Sequence, residues 1–117
     1  MIYVSYSTAG NEWNEGAWAE LLKSFSVQPY DNQQVETRVL VQPQHGRFVQ
    51  GEIDLTEFSH PEGDVLYIFG SDHAQLEQAP SHDISVYIPQ RSTTVTLWSH
   101  QAAAVVLWDR VLQHGDN

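Results

Sequence analysis

The residues best equipped for chemistry fall in two short stretches. Phe69-Gly70-Ser71-Asp72-His73 closes an apolar run that starts at Val65, and Ile88-Pro89-Gln90-Arg91-Ser92-Thr93-Thr94-Val95 closes a second run that starts at Ile84. A glycine straight after a buried strand lets backbone approach a ligand with no Cβ in the way. Two residues on, the Asp72 carboxylate can accept hydrogen bonds from a ribose or an amine, or it can cap a short helix that follows. His73 carries an imidazole whose ordinary pKa suits it to accept a proton near neutrality. In the second stretch Arg91 is the best-placed contact for a phosphate or carboxylate. Open α/β sheets build ligand crevices from such loops, at the carboxyl ends of their strands.

The elements that must position these loops are legible from periodicity. Ile2–Ser7 alternates and is rich in Tyr and Val, which predicts a strand. Asn11 is suited to cap a helix with Glu12 and Glu15 in its first turn, and Trp13, Ala17, Leu21, Leu22 and Phe25 recur at helical spacing to about Ser26. Thr37–Val41 predicts a second strand, broken by Pro43, and Phe48-Val49 a short strand or hairpin arm. Asp54–Phe58 predicts a helical turn followed by the turn His60-Pro61-Glu62-Gly63. Asp64–Phe69 is a continuous apolar run, as a strand covered on both faces requires, and Ile84–Ile88 is a second buried-strand candidate, stopped by Pro89. Ala74–Ala79 fits a single helical turn, and Val95–Gln113 a long helix with Gly115 at its C-terminal cap. The alternation predicts one α/β domain over residues 1–117, a mostly parallel sheet flanked by helices.

The wording of the two loops resembles the SpoU-type branch of the α/β-knot (SPOUT) methyltransferases. That family carries Phe-Gly-x-Glu-x-x-Gly-Leu in the first loop, and Phe69 to Leu76 match it with Asp72 for Glu and Gln75 for the second Gly. Its second loop reads Ile-Pro-Met, a spacer, then Ser-Leu-Asn-Val and a helix of small residues. Ile88-Pro89, Ser92, Val95 and the run Ala102-Ala103-Ala104 correspond, with Thr94 in the place of Asn. The first family motif, Asn-x-Gly-x-x-x-Arg, is met by Asn14-Glu15-Gly16, but Glu20 stands where the Arg belongs. The resemblance implies a C-terminal trefoil knot and S-adenosylmethionine as cofactor. It places Phe69, Gly70, Ser71, Ile88, Pro89, Ser92, Thr93 and Leu97 around that cofactor. The implied reaction is methylation of a ribose 2′-hydroxyl of RNA. It needs an aligned hydroxyl and a proton acceptor, for which Asp72 or His73, Thr94 and Asn14 are the candidates, with Ser92 a further positioning hydroxyl.

Charge balance pulls the other way. Fifteen Asp and Glu face five Lys and Arg (Lys23, Arg38, Arg47, Arg91 and Arg110), a formal net charge of −10. Proteins that grip nucleic acid draw most of their affinity from neutralised phosphates, and this field repels a polyanion. An RNA partner is therefore disfavoured. A knot-fold protein that has lost catalysis, and binds a nucleoside-like ligand or a protein partner, is the alternative that Glu20 and Thr94 favour. A small flavodoxin- or Rossmann-like domain is the reading left if the loop match is accidental.

Composition bounds the rest. The chain has 117 residues, is 41% hydrophobic, and carries four Trp, five Tyr and four Phe, enough for one packed core. No cysteine is present, so disulfides and thiolate chemistry are excluded. The six histidines share no metal-ligand spacing, which predicts solvated or capping roles and no metal site. No run reaches membrane-span length and no leader precedes the first strand, so the default compartment is the cytoplasm. The last helix is apolar on more than one face, which predicts a homodimer through it.

Overall fold

The computed structural model describes residues 1–8, 11–43, 53–71, 80–89 and 97–115. Along the chain run β1 (Ile2–Ser7), α1 (Glu12–Phe25), β2 (Gln28–Pro29), β3 (Thr37–Pro43), β4 (Ile53–Asp54), a 3₁₀ turn (Leu55–Glu57), β5 (Val65–Ser71), β6 (Ile84–Ile88) and α2 (Ser99–His114). The six strands form one sheet in the order β2-β1-β5-β3-β6-β4. Every described pairing is parallel. The predicted α/β class with a parallel sheet holds.

The central strand shows why the sequence reads as it does. β5 lies between β1 and β3, with Val65 opposite Ile2 on one side and Thr37 on the other. Val65, Leu66, Tyr67, Ile68 and Phe69 are all buried, so both faces are covered and no polar alternation is possible. Val65, Tyr67 and Phe69 join Val4, Val39, Val41, Val86 and Ile88 in the main core, which both helices complete. Leu66 and Ile68 face the other way and form a smaller cluster with Leu40, edged by Tyr3, Tyr30 and Val35.

Helix α1 is capped as its sequence predicts. The Asn11 side chain accepts from the Asn14 backbone N–H at 3.1 Å. Ser26 ends the helix in the left-handed region at φ 53°, donating its N–H back to the last turn. The buried stripe is Asn14, Trp18 and Leu21, which keeps Leu21 of the predicted stripe but puts Asn14 and Trp18 inward in place of Trp13 and Ala17. Trp13, one of the apolar positions that set the predicted helical spacing, is 63% exposed, because Asn14 and Trp18 take the inward positions.

Three other boundaries differ from expectation. β3 continues two residues beyond expectation to Pro43, opposite Ile88. β5 runs on through Gly70 to Ser71, which pairs with Ser7 beyond a register shift after Ser5. Helix α2 begins at Ser99 rather than Val95, and the Trp98 N–H donates to Gln101 Oε1 at 2.9 Å. Gly115 closes it at φ 76°, with its N–H on Val111 O. In the turn before β5, Gly63 sits at φ 83° with the Glu36 carboxylate where a Cβ would be. The predicted segments Phe48-Val49 and Ala74–Ala79 lie outside the described residues. So does most of the two loops, 72–79 and 90–96, on which the predicted knot depends. Among the described residues no helix is long and apolar enough to cross a membrane.

Candidate functional site

Parallel strands put all their carboxyl ends on one edge of the sheet. That edge holds the end of β1 at Tyr6 and Ser7, the end of β5 at Phe69 to Ser71, and the end of β6 at Ile88 and Pro89. Helix α1 starts five residues after β1, and α2 starts after the chain leaves β6, so both helix N-termini open toward the same edge. The helix dipoles give that edge a positive partial charge.

Trp18 ties the edge together. Its ring stacks on Tyr6 at 4.0 Å between centroids and 10° between planes. It leans on Phe69 at 5.7 Å. Its indole N–H donates to Ser99 Oγ at 3.2 Å. One side chain thus fixes the ends of β1 and β5 and the first residue of α2 relative to one another. Nothing in the sequence marked Trp18 above Trp13; only the phase of the helix decides between them.

One turn before Trp18, on the same inward stripe, is Asn14. It is fully buried, and neither its amide nitrogen nor its amide oxygen finds a hydrogen-bond partner among the described residues. A buried donor or acceptor left unpaired costs about 1–3 kcal/mol, and an amide carries both kinds. Native proteins keep few such groups, and each needs a reason. The His100 Nδ1 atom, on the first turn of α2, is likewise buried with no partner among the described residues.

The remaining predicted site residues divide into three groups. Phe69 and Ile88 are buried in the core, so only their backbone can meet a ligand. Gly70 and Ser71 extend β5 to the edge, Pro89 is exposed just past β6, and Leu97 is half-buried against the core beside α2. Asp72, His73, Arg91, Ser92, Thr93 and Thr94 lie outside the described residues. Glu20, in the place of the arginine, is exposed on α1. No group of three His, Asp or Glu suited to a metal ion occurs among the described residues.

A second polar cluster sits at the other end of α2, and one of its histidines corrects a sequence-based expectation. His60 is neither solvated nor a cap: it is 4% exposed. Its Nε2 lies 2.7 Å from Asp109 Oδ2, and its Nδ1 lies 2.6 Å from the Tyr67 hydroxyl. Arg110 Nη1 donates to that same hydroxyl at 3.2 Å and to Pro61 O at 2.6 Å. Only one proton arrangement satisfies all four groups. Nε2–H donates to the Asp109 carboxylate, Nδ1 accepts from Tyr67, and the Tyr67 oxygen accepts from Arg110, so His60 is neutral. Burial lowers the His60 pKa against the opposing pull of Asp109. Burial pushes the Tyr67 pKa up to about 12, against the nearby Arg110 charge. Gln113 strengthens the attachment, accepting from His60 N–H at 2.8 Å and donating to Phe58 O at 2.6 Å. The cluster, buried at His60, Tyr67 and Arg110 and open to solvent on the Asp109 side, holds α2 against β5 and the segment Phe58–Pro61. Two sequence signals point to it: Tyr67 within an otherwise apolar strand, and Arg110 in phase with Ser99, Ala103 and Val106 on the buried face of α2.

The sequence matches no protein-family model, and no curated protein matches it. A solved structure with the same fold is that of a probable methylase family protein from Haemophilus influenzae Rd KW20, with a TM-score of 0.67 and 11% sequence identity. The alignment covers 96% of this chain and 65% of that one. At that identity the likeness establishes a shared α/β fold, and this chain spans about two thirds of the length of that one.

Proposed function

We propose that this protein is a methyltransferase-like α/β-knot protein that binds S-adenosylmethionine where β1, β5 and β6 end. The observation that supports this reading is Asn14, a buried amide with neither polar atom partnered among the described residues, at the edge where both helices begin. Backbone of Phe69, Gly70, Ser71, Ile88 and Pro89 and the apolar side chain of Leu97 would hold the cofactor, joined by Ser92 and Thr93 of the second loop. The cofactor would supply a methyl group carried on a cationic sulfonium. This chain would align a nucleophile against that group and accept its proton, a role for Asp72 or His73 with Thr94 orienting the acceptor. The resemblance of the loops supports methyl transfer to a ribose 2′-hydroxyl of RNA.

A second reading rests on two facts. Glu20 replaces the arginine of the resembled motif, and the net charge of −10 repels a polyanion. Both favour a knot-fold dimer that keeps the ligand crevice and has lost RNA methylation. The proposed dimer forms through α2, where Val105, Trp108 and Leu112 are exposed along one stripe.

Calorimetric titration with S-adenosylmethionine and, separately, S-adenosylhomocysteine tests the proposal. Binding of both at one site per chain is the expected result, and no binding of either contradicts it. Binding without transfer to RNA selects the second reading.

A further inference from the structure

Helix α2 is fastened in two different ways along its length. Ala102, Ala103, Val106 and Leu107 pack into the main core, so apolar burial holds its first half. Beyond Leu107 no described residue of the helix joins that core. Trp108 and Leu112 are exposed there, and the buried side chain is Arg110. The second half, residues 109–114, is held instead by polar contacts with residues 58–61. His60 meets Asp109 through Nε2, and Arg110 donates to Pro61 O. Gln113 bonds both the His60 N–H and Phe58 O, and His114 Nε2 donates to His60 O at 2.8 Å. Arg110 also donates to the Tyr67 hydroxyl of β5. His60 takes part in most of these contacts, so the hold on one half of α2 depends on a single histidine.

A proton affects the two halves differently. Ala102, Ala103, Val106 and Leu107 carry nothing that titrates. In the other half, the neutral ring accepts from Tyr67 at Nδ1, which leaves the Tyr67 oxygen to accept from Arg110. A proton on Nδ1 turns that acceptor into a donor and strands the Tyr67 hydrogen. Burial opposes this proton most strongly, Asp109 favours it, and Arg110 and His114 add to the opposition. Acid therefore favours every state in which the ring reaches water over the closed one. The least costly of these gives up the fewest buried contacts, and Asp109, Arg110, Gln113 and His114 can leave together without disturbing Val106 or Leu107. We propose that residues 109–114 form an acid-operated latch: a proton on His60 frees this end of α2 from residues 58–61 and Tyr67, while the half up to Leu107 stays packed on the sheet. The break falls between Val105 and Leu112 of the exposed stripe, so the latch decides whether that stripe is one straight surface.

Hydrogen–deuterium exchange of the full chain tests the latch, read by mass spectrometry from pH 7.5 to 5.5, with and without low urea, and corrected for the chemical exchange rate at each pH. Amides of residues 110–114 are expected to exchange through a local opening that exposes little surface, so low urea hardly accelerates it. That opening should speed up as pH falls below 6.5, by up to about ten-fold per pH unit, the slope that one linked proton gives. Amides of residues 103–107 should exchange more slowly and with a steep urea dependence, since they open with the whole core. His60→Gln is the control, because its amide oxygen can accept from Tyr67, its amide nitrogen can donate to Asp109, and it does not titrate. In that variant the acid acceleration at residues 110–114 should vanish, which simple fraying of a helix end does not explain. The inference is overturned if residues 110–114 share the rate and urea dependence of residues 103–107, if acid does not accelerate them, or if His60→Gln keeps the acceleration. The wild-type protein decides the first two outcomes whether or not the variant folds.

Discussion

Trp18→Ala is expected to remove about 3–5 kcal/mol of folding stability, the range for deleting a large buried aromatic side chain. The size follows from what the ring does. It is completely buried, stacked on Tyr6, tilted against Phe69 and bonded to Ser99. Its removal leaves a cavity where two strand ends and two helices meet, and packed walls collapse into such a space only in part. Trp18→Phe separates the contributions. It keeps an aromatic ring against Tyr6 and loses the indole N–H, so a smaller loss is expected, about 1–2 kcal/mol. Urea unfolding monitored by circular dichroism measures both variants. A loss below about 1 kcal/mol for Trp18→Ala would mean that the ring does not organise this edge.

His60 carries the second large expectation, and here pH gives it a signature. His60→Ala should remove about 2–4 kcal/mol at pH 7, because the Tyr67 hydroxyl and the Asp109 carboxylate lose a buried partner and a space is left behind. The wild-type protein should also weaken in mild acid for the same reason. Burial holds the folded-state pKa of His60 below the ordinary 6.5, so in the folded protein the ring stays neutral where the unfolded chain takes up a proton. The stabilisation is therefore complete above pH 6.5 and is lost as pH falls through the lowered folded value. The groups facing His60 are Tyr67, Asp109, Arg110 and His114, and none of them replaces this effect. A protonated ring would donate from both nitrogens, leaving the Tyr67 proton with no acceptor. Unfolding measured from pH 7.5 to 5.5 should show the decline in the wild type and a flatter profile in His60→Ala. Parallel profiles would show that the histidine is not the titrating group. At the alkaline end, Tyr67 favours the folded state up to its ordinary value of 10.0, and this is lost as pH rises through about 12.

The parts of this architecture that the sequence reveals are those fixed by strong local signals. Val65 to Phe69 have no polar alternation because β5 is covered on both faces, and β5 and β6 both appear where strands are expected. Asn11 and Ser26 bracket α1 because caps are chosen by local hydrogen bonding, which sequence displays directly. What sequence obscures is set by packing between distant segments. Trp13 and Trp18 are alike as letters, and both fit a helical period; the ends of β1 and β5 decide which one turns inward. Tyr67 and Arg110 each stand out within their own element, but the partnership of His60, Tyr67, Asp109 and Arg110 spans 50 residues from His60 to Arg110, and no local spacing joins its members. Asn14 shows the contrast most sharply. Resemblance to a motif singles it out, and burial without a partner gives it a physical meaning that the motif does not contain.

That meaning can be tested in one substitution. If the Asn14 amide is kept unpartnered for a ligand, the free protein gains nothing from it, and a leucine of similar shape should serve the fold better. Asn14→Leu is expected to raise the stability of the free protein by about 1–2 kcal/mol, since the unpaired polar atoms disappear into an apolar interior. The deciding measurement is the melting temperature of the wild type and Asn14→Leu, each with and without S-adenosylmethionine. The account predicts a higher melting temperature for the free variant, together with loss of the ligand-induced rise seen in the wild type. A variant less stable than the wild type, or one that keeps the full ligand-induced rise, would contradict it.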